Sequence, residues 1–332
     1  MQIDLAKTRY EATALLASGA QLRLTPLCQS IGWEENKSEF ATRLNLTLQD
    51  IAYQGRRLHA LLPLCTRIFV YADQGQGYAE AFRGTVWEWE HSHIPSDPIT
   101  LTAYDALYTL QRTSDNRYYA KGKRTKAIVE DVCRAWNVEL GEYQGPDMVH
   151  KKQVFKNKRV SEILKELLED AHDMGGAKCF VRAREGKMDV LPMGANDQVF
   201  AFHASRHITQ LHDRYSMTSL ITRVVITGKE DRKGRPKVLA TLNGQTQYGI
   251  LQTFQNKGSA SLAEAKKAAQ KILDEQGKPQ QTLTLSSPDI PTLRKGDRIY
   301  LDAPDLSGYF YVLGVSHDAA GLSMTMEVEA VG

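Results

Sequence analysis

A chain of 332 residues is long enough for two to three domains with real hydrophobic cores, and its 42% hydrophobic and 24% charged content is that of an ordinary globular protein. The formal net charge of +3 is too small to argue by itself for nucleic acid or a membrane surface, and no apolar run approaches the ~18 residues that a bilayer-spanning helix needs. The four cysteines (Cys28, Cys65, Cys133, Cys179) are far apart with no CxxC spacing, so they read as reduced structural thiols made in a cytosol, not as a disulfide frame or zinc site.

Residues 1–20 form an N-terminal arm. Asp4, Lys7, Arg9 and Glu11 break any apolar signal core, so no signal peptide is expected, and the stretch Glu11–Leu16 has weak helical character. Gln21–Thr25 is a short strand closed by Pro26, Ser30–Phe40 is charged and loop-like apart from Ile31 and Trp33, and Ala41–Leu48 alternates Leu44, Leu46 and Leu48 against polar partners, as a half-wet strand does. A meander follows: Arg67–Tyr71, a turn at Asp73–Gly77, the long strand Tyr78–His91, a turn at Pro95–Pro98 and the strand Ile99–Thr102. These elements make a β-lobe over residues 21–115.

Residues 116–195 read as a small α+β domain. Thr125–Asn137 and Lys158–Met174 carry apolar residues at helical spacing, the second stopping at Gly175-Gly176, where a glycine can take the left-handed conformation. Lys178–Ala183 and Met188–Leu191 form a hairpin across Glu185-Gly186. Strands resume at Gln198–Ala204, His207–Leu211, Ser219–Gly228 and Lys237–Leu242, with a charged loop at Lys229–Arg235. Ser261–Gln276 is a third helix, opened by the capping box Ser261-Leu262-Ala263-Glu264 and ended by Gly277 and Pro279. On this reading residues 196–245 and 281–332 form a second β-lobe, interrupted by a helical insertion over 246–280.

The last stretch, Arg298–Glu329, repeats the texture of the first meander: two tight turns joining three strands that alternate apolar and polar residues, which places successive side chains on opposite faces. Arg67 and Arg298 are 231 positions apart and Gly84 and Gly314 are 230 apart, so the two meanders stay in near register. Two explanations stand. Antiparallel meanders share weak composition cues wherever they occur; alternatively, one β-domain is used twice, and a ring of three such chains would present six similar lobes.

The search for chemistry returns little. His203, His207 and His212 cluster in sequence, but Ala204 stands where a zinc-protease helix would place its glutamate, so hydrogen-bonded or solvated histidines are the better reading. Glu88 and Glu90 share one strand face roughly 7 Å apart, a separation compatible with glycoside hydrolysis; the expected reading is a wet strand face, with Trp87 and Trp89 filling the other. The basic stretches Lys121–Lys126, Lys151–Lys158 and Lys229–Lys237 each carry two or more apolar, acidic or turn residues and show no clear aromatic stacking pattern, so they read as solvated faces and no specific nucleic-acid binding is expected. GxGxxG, GxxxxGK[ST] and GxSxG are absent. No catalytic, cofactor-binding or metal-ligating residue is assigned, no cofactor is called for, and a structural role is favoured over an enzyme.

The ordered succession of Ile31-Gly32-Trp33, Arg43-Leu44, Phe82-Arg83-Gly84-Thr85-Val86, Ala103-Tyr104-Asp105, Thr125–Cys133, Gln247–Gln252, Gly296-Asp297-Arg298-Ile299, Gly308–Val312 and His317 resembles the baseplate hub proteins of contractile phage tails and related defective prophage particles, the XkdQ/YqbQ type akin to late control protein D. The resemblance runs from about Leu22 to Val328. It implies an α+β, mainly β fold with two tube-like β-barrel lobes and a small α+β domain between them. It further implies a homotrimer whose six lobes form a pseudo-sixfold ring joining a hexameric tail tube to a trimeric spike. Its expected partners are itself, the spike, the tube or a tube initiator, other baseplate proteins and a tape-measure protein, in a particle assembled in a bacterial cytoplasm without membrane insertion. The alternatives are a tail-tip peptidoglycan hydrolase using Glu88 and Glu90, or the same hub in a bacteriocin or secretion particle. Two departures bear on turn geometry: Cys65-Thr66-Arg67 stands where the second meander has Gly296-Asp297-Arg298, and Glu34–Ser38 lacks an expected Ser-Gly-Asp.

Overall fold

The computed structural model describes residues 8–53, 55–94, 97–230, 233–258 and 261–331. The first seven residues of the expected arm, Pro95-Ser96 of the Pro95–Pro98 turn and Asp231-Arg232 of the charged loop lie outside the described residues. Two compact units are present: one holds residues up to Leu211 together with Thr284 onward, and the other spans His212–Leu283.

In the first unit the chain opens with β1 (Arg9–Leu15), β2 (Gln21–Arg23), β3 (Cys28–Glu35) and β4 (Thr42–Gln49). The minor pair β5 (Ala52–Tyr53) and β6 (Arg56–Arg57) and the single turn α1 (Leu58–Leu61) lead into the meander β7 (Arg67–Asp73), β8 (Tyr78–His91) and β9 (Pro98–Tyr104). The expected helix at Glu11–Leu16 is instead strand β1, paired along its whole length with β7, Arg9 facing Asp73 and Leu15 facing Arg67. Ala12 and Ala14 are fully buried there. Alternation of period two was present in this stretch, but alanine is too small to declare a strand face. The stretch Ser30–Phe40 is likewise corrected. Cys28–Glu35 is a strand, paired with β4 so that Trp33 faces Leu44 and Glu35 faces Thr42. This lobe is filled by Leu22, Leu24, Ile31, Trp33, Leu44, Leu46, Leu48, Ile68, Val70, Phe82, Val86, Ile99 and Leu101, inward residues of alternating strands.

The α+β part comprises α2 (Tyr108–Arg112), β10 (Ser114–Tyr119), α3 (Thr125–Ala135), β11 (Leu140–Tyr143), β12 (Gln153–Arg159), α4 (Val160–Asp173) and the hairpin β13 (Cys179–Arg184) and β14 (Lys187–Pro192). Both expected helices are present within two residues of their expected ends, and Gly175 takes a φ of +99° after α4. Ile128, Val129, Val132 and Cys133 of α3 pack with Val160, Ile163, Leu164, Leu167 and Leu168 of α4 and with Val181, Met188 and Val190 of the hairpin. At about 1.5–3 kcal/mol for each large side chain, that burial is what holds such short helices. The hairpin turns at Glu185-Gly186 with φ of 52° and 82°, the positive pair that suits strand twist.

The chain continues through β15 (Phe200–His203) and β16 (Gln210–Ser216) into the second unit, formed by β17 (Arg223–Glu230), β18 (Pro236–Asn243), β19 (Gln252–Asn256) and α5 (Leu262–Gln276), and returns along β20 (Gln280–Pro288). Here β17 lies between β18 and β19, and Val224 and Ile226 pack on Ala265, Ala269 and Leu273 of α5. The capping box forms as written: Glu264 N–H donates to Ser261 Oγ at 3.2 Å and Ser261 N–H to Glu264 Oε2 at 2.8 Å. The strands at 223–243 were expected in the second lobe, with an insertion over 246–280 alone. They belong to a sheet with α5, because the inward face of β17 is what buries the helix.

The final meander is β21 (Arg298–Ala303), β22 (Leu306–Asp318) and β23 (Ser323–Ala330). Both meanders share a clasp at the start of their first strand. Cys65 N–H donates to Val86 O at 2.8 Å and Val86 N–H to Thr66 O at 2.9 Å; Gly296 N–H donates to Val312 O at 2.8 Å and Val312 N–H to Asp297 O at 2.8 Å. Both long strands then carry a bulge against the third strand, β8 between Val86 and Glu88 and β22 between Val312 and Gly314. The two meanders match in clasp and bulge, but the register of the match differs from the sequence reading. Arg67 faces Thr85 whereas Arg298 faces Tyr311, a shorter excursion, so Trp87 corresponds to Leu313 and His91 to His317, and Gly84 does not correspond to Gly314.

At the clasp the lost glycine leaves a trace. Cys65 has a φ of 68° where Gly296 has 92°, so a side chain occupies a left-handed position at a cost of about 1–2 kcal/mol. Cys65 is exposed, and Cys65→Gly should raise stability by about 1 kcal/mol in urea unfolding. Gly296→Ala should lower it by more, since a Cβ there would overlap the Phe180 ring.

Candidate functional site

The two lobes are one continuous sheet. From β4 the order runs β4-β9-β8-β7-β1-β2 in one direction, and β3-β22-β23-β20 in the other, with β21 beside the first half of β22. The joint is the pairing of β3 with the second half of β22: Val315 faces Glu35, Ser316 faces Glu34, His317 faces Trp33 and Asp318 faces Gly32. Gly314 is required at its end, because a Cβ there would stand 2.9 Å from Glu35 O.

Two buried polar clusters fasten this seam. In the first, His317 is 2% exposed and stacks on Trp33, ring centroids 4.6 Å apart and 13° from parallel. Its Nδ1 lies 2.6 Å from Asp289 Oδ1 and its Nε2 lies 3.1 Å from Leu293 O. Both ring nitrogens thus lie within hydrogen-bond distance of an acceptor oxygen, which fixes the ring between Asp289 and the Leu293 carbonyl. Tyr10 of β1 donates its hydroxyl to the other oxygen of Asp289. Burial first, and Asp289 second, push the Tyr10 phenol far above its usual range, so it stays a donor.

The second cluster lies at the end of β3. Glu35, 3% exposed, accepts from Arg294 Nε at 2.6 Å and from Lys295 N–H at 3.2 Å. Arg294 also donates to Ala183 O on β13 at 2.7 Å, Arg182 of the same strand pairs with Asp297 Oδ1 at 3.1 Å, and Lys295 Nζ donates to the carbonyls of Asn36 and Glu39. One network thus ties the first lobe, the α+β part and the second lobe. Burial raises the Glu35 carboxyl, but Arg294, Lys295 and Arg182 more than offset it and hold it below its ordinary value. Burial lowers the Lys295 ammonium and raises Asp297. Asp105, buried at the end of β9, accepts Thr42 N–H at 2.8 Å and Leu107 N–H at 2.9 Å. Burial pushes it up to about 6, against those bonds.

The residues singled out for chemistry do not converge. His203 Nδ1 lies 2.8 Å from Asp302 Oδ2 and its backbone N–H donates to His207 Nδ1, while His212 lies in the other unit. Among the described residues no cluster of three or more His, Cys, Asp or Glu side chains could hold a metal, and no helix is long and apolar enough to cross a membrane. Glu88 and Glu90 are exposed and face Thr102 and Thr100. The tryptophans do not fill an inner face: Trp87 and Trp89 are 42% and 36% exposed, Trp87 edge-on to Tyr108 and Trp89 against His59. Burial raises the thiols of Cys28 to about 12 and of Cys133 and Cys179 to about 11, so none is a nucleophile at neutral pH. Of the basic stretches, Lys158 pairs with Glu166 and Arg124 with Asp147. The sequence reading missed Glu35, Arg294 and Asp105; the available signal was a charged residue in phase with Ile31 and Trp33 on an inward face.

The pattern of the YQBQ-like family matches residues 33–331. The chain belongs to this family. Its fold is shared with the 43 kDa tail protein of prophage MuSo2 from Shewanella oneidensis (TM-score 0.70, 13% identity, 96% of this chain and 98% of that one). The tail protein from Neisseria meningitidis MC58 is also similar (TM-score 0.67, 14% identity, 96% and 95%). A third is the Escherichia coli c3393 protein, a type VI secretion component with structural similarity to bacteriophage T4 tail proteins (TM-score 0.53, 13% identity, 92% and 74%). No curated protein matches the sequence. Family membership and the mainly β, α+β architecture therefore agree with the sequence reading.

Glu35→Gln would leave Arg294 and Lys295 buried with less compensation, and should cost about 3–5 kcal/mol in urea unfolding. The pH dependence has two opposite signs. Glu35 has a depressed folded pKa, so its contribution is complete above its ordinary value of 4.5 and is lost as pH falls. Asp105 has a raised one, so its contribution is present below 3.8 and is lost as pH rises to about 6. Unfolding of the wild type and Asp105→Asn from pH 4 to 7 should show the wild type losing on the order of 3 kcal/mol relative to the variant across that range. Parallel curves would contradict the assignment.

Proposed function

We propose that the chain is the structural hub of a tail baseplate, a homotrimer whose six lobes form a pseudo-sixfold ring that joins a hexameric tail tube to a trimeric central spike. The observation that carries this reading is the duplicated meander, with the same backbone clasp and the same bulge in both copies. A tube repeating six times and a spike repeating three times can be matched by a trimer only if each chain offers two similar but unequal lobes. Family membership supports the tail assignment, and the two proteins of like fold are tail proteins, that from Shewanella oneidensis belonging to a prophage. Partners on this reading are further copies of the chain, the spike, the tube or its initiator, neighbouring baseplate proteins and a tape-measure protein. The site of action is the particle's baseplate, after synthesis in the host cytoplasm.

A second reading, the same hub in a secretion-type injection particle, is favoured by likeness to the type VI secretion component and to a Francisella PdpA-VgrG complex. The joint is physically the same in both. The hydrolase reading has no comparable support, because Glu88 and Glu90 are exposed on an open strand.

Light scattering across a concentration series should give a species of three times 37.2 kDa. A dimer at every concentration would contradict the ring. In a wall-clearing assay on purified peptidoglycan the protein should be inactive; clearing that vanishes in the Glu88→Gln, Glu90→Gln double variant would establish the hydrolase instead.

A further inference from the structure

The seam inside the chain is a template for the seam between chains. Each lobe ends in a long meander strand, β8 in the first and β22 in the second, reached through equivalent strands: β3-β4-β9-β8 and β16-β20-β23-β22. By this correspondence β16 stands for β3. The second half of β22 is covered by β3, and Val315 and His317 are buried at 3% and 2% exposure. The matching residues of β8 are Trp89 and His91, set by the same bulge: Trp89 faces Leu101 as Val315 faces Met326, and His91 faces Ile99 as His317 faces Met324. Yet Trp89 is 36% exposed, Trp87 42% and Ile94 60%. Beyond Val86, whose N–H and carbonyl are taken by Thr66 and Cys65, β8 has no neighbour on that edge among the described strands. An aromatic strand with one open edge is a template for strand addition.

We propose that the open edge of β8, over Trp89–His91, receives strand β16 of a second copy of this chain, antiparallel, as β22 receives β3 within the chain. The occupant follows from the correspondence of strands and from charge. β16 has β20 as its single neighbour among the described strands and is largely exposed, Tyr215 at 66%. It carries Arg214, with Asp213 already accepting from Gln281 Nε2, whereas the edge of β8 carries Glu88 and Glu90. Glu88 holds the place of Gly314, so the incoming strand must stop short of it, as β3 begins its pairing at Val315. The contact is head-to-tail, which closes only as a ring or runs on as a filament. This inference rests on the trimeric ring reading and names the strands that make it.

Cysteines introduced at Glu90→Cys with each of His212→Cys, Asp213→Cys and Arg214→Cys test the seam, in a Cys65→Gly background that removes the exposed native thiol. Mild oxidation of the purified trimer should give covalent trimers with at least one of the three pairs. An equal mixture of the corresponding single variants should give covalent dimers, and neither single variant alone should give the same product. Trimeric protein that forms no such disulfide at any position overturns the seam and leaves the ring standing. Protein that is dimeric or monomeric at every concentration overturns both. If a double variant fails to fold, a hydrogen-exchange comparison of the wild-type trimer with diluted monomer decides: protection of 87–91 and 210–216 on trimer formation supports the seam, and its absence contradicts it.

Discussion

Glu35 sits at the end of a strand that has to pair on both edges, with β4 on one and β22 on the other, and its carboxylate is held by Arg294 and the Lys295 backbone in a place closed to water. A buried ion pair is a poor source of net stability, because the desolvation of both charges cancels most of their attraction. Its value here is positional. Sliding β3 by one residue against β22 would turn Ile31, Trp33 and Glu35 to the wrong face together and leave Arg294 and Lys295 without their counter-ion. The other cluster, Tyr10, Asp289 and His317 against Trp33, imposes the same register from the other end of the seam. Two lobes with several possible edge-to-edge registers are thereby held in one.

That fixed geometry matters for assembly. In a ring built from two-lobed chains, half of the lobe-to-lobe seams are inside a chain and half are between chains. The internal one is prepaid in covalent connection and can be strengthened by buried charge, whereas the external one must stay soluble before it closes. On the proposed ring, the contrast between His317, buried under Trp33, and His91, half exposed beside Trp89, is that difference expressed at one equivalent position.

Much of the architecture was legible in the sequence, and the failures share a cause. The helices of the α+β part announce themselves by large apolar residues at helical spacing, and α5 by its capping box. The meanders announce themselves by alternation. Strand β1 was read as helical because its buried residues are Ala12 and Ala14, whose small size erases the alternation. Strand β3 was read as a loop because one of its inward residues is Glu35, and a charge normally marks the wet face. Its partner Arg294 is more than two hundred positions away, so no local pattern could reveal the pair. The repeat was found from spacing, but its register was misjudged: turn and strand lengths between Arg67 and Thr85 differ from those between Arg298 and Tyr311, and matching glycines are a weaker anchor than the bulge. The candidate chemical residues were legible as residues and not as a site, since sequence proximity of His203, His207 and His212 says nothing about where strand ends and unit boundaries place them.

The central claim is that one chain supplies two unequal positions of a six-position ring. Averaged electron-microscope projections of the purified oligomer down its axis test it most directly. The account predicts a closed ring with six similar densities about a central opening, alternating around a threefold axis. A twofold particle, or a threefold one with only three densities of lobe size, would contradict it.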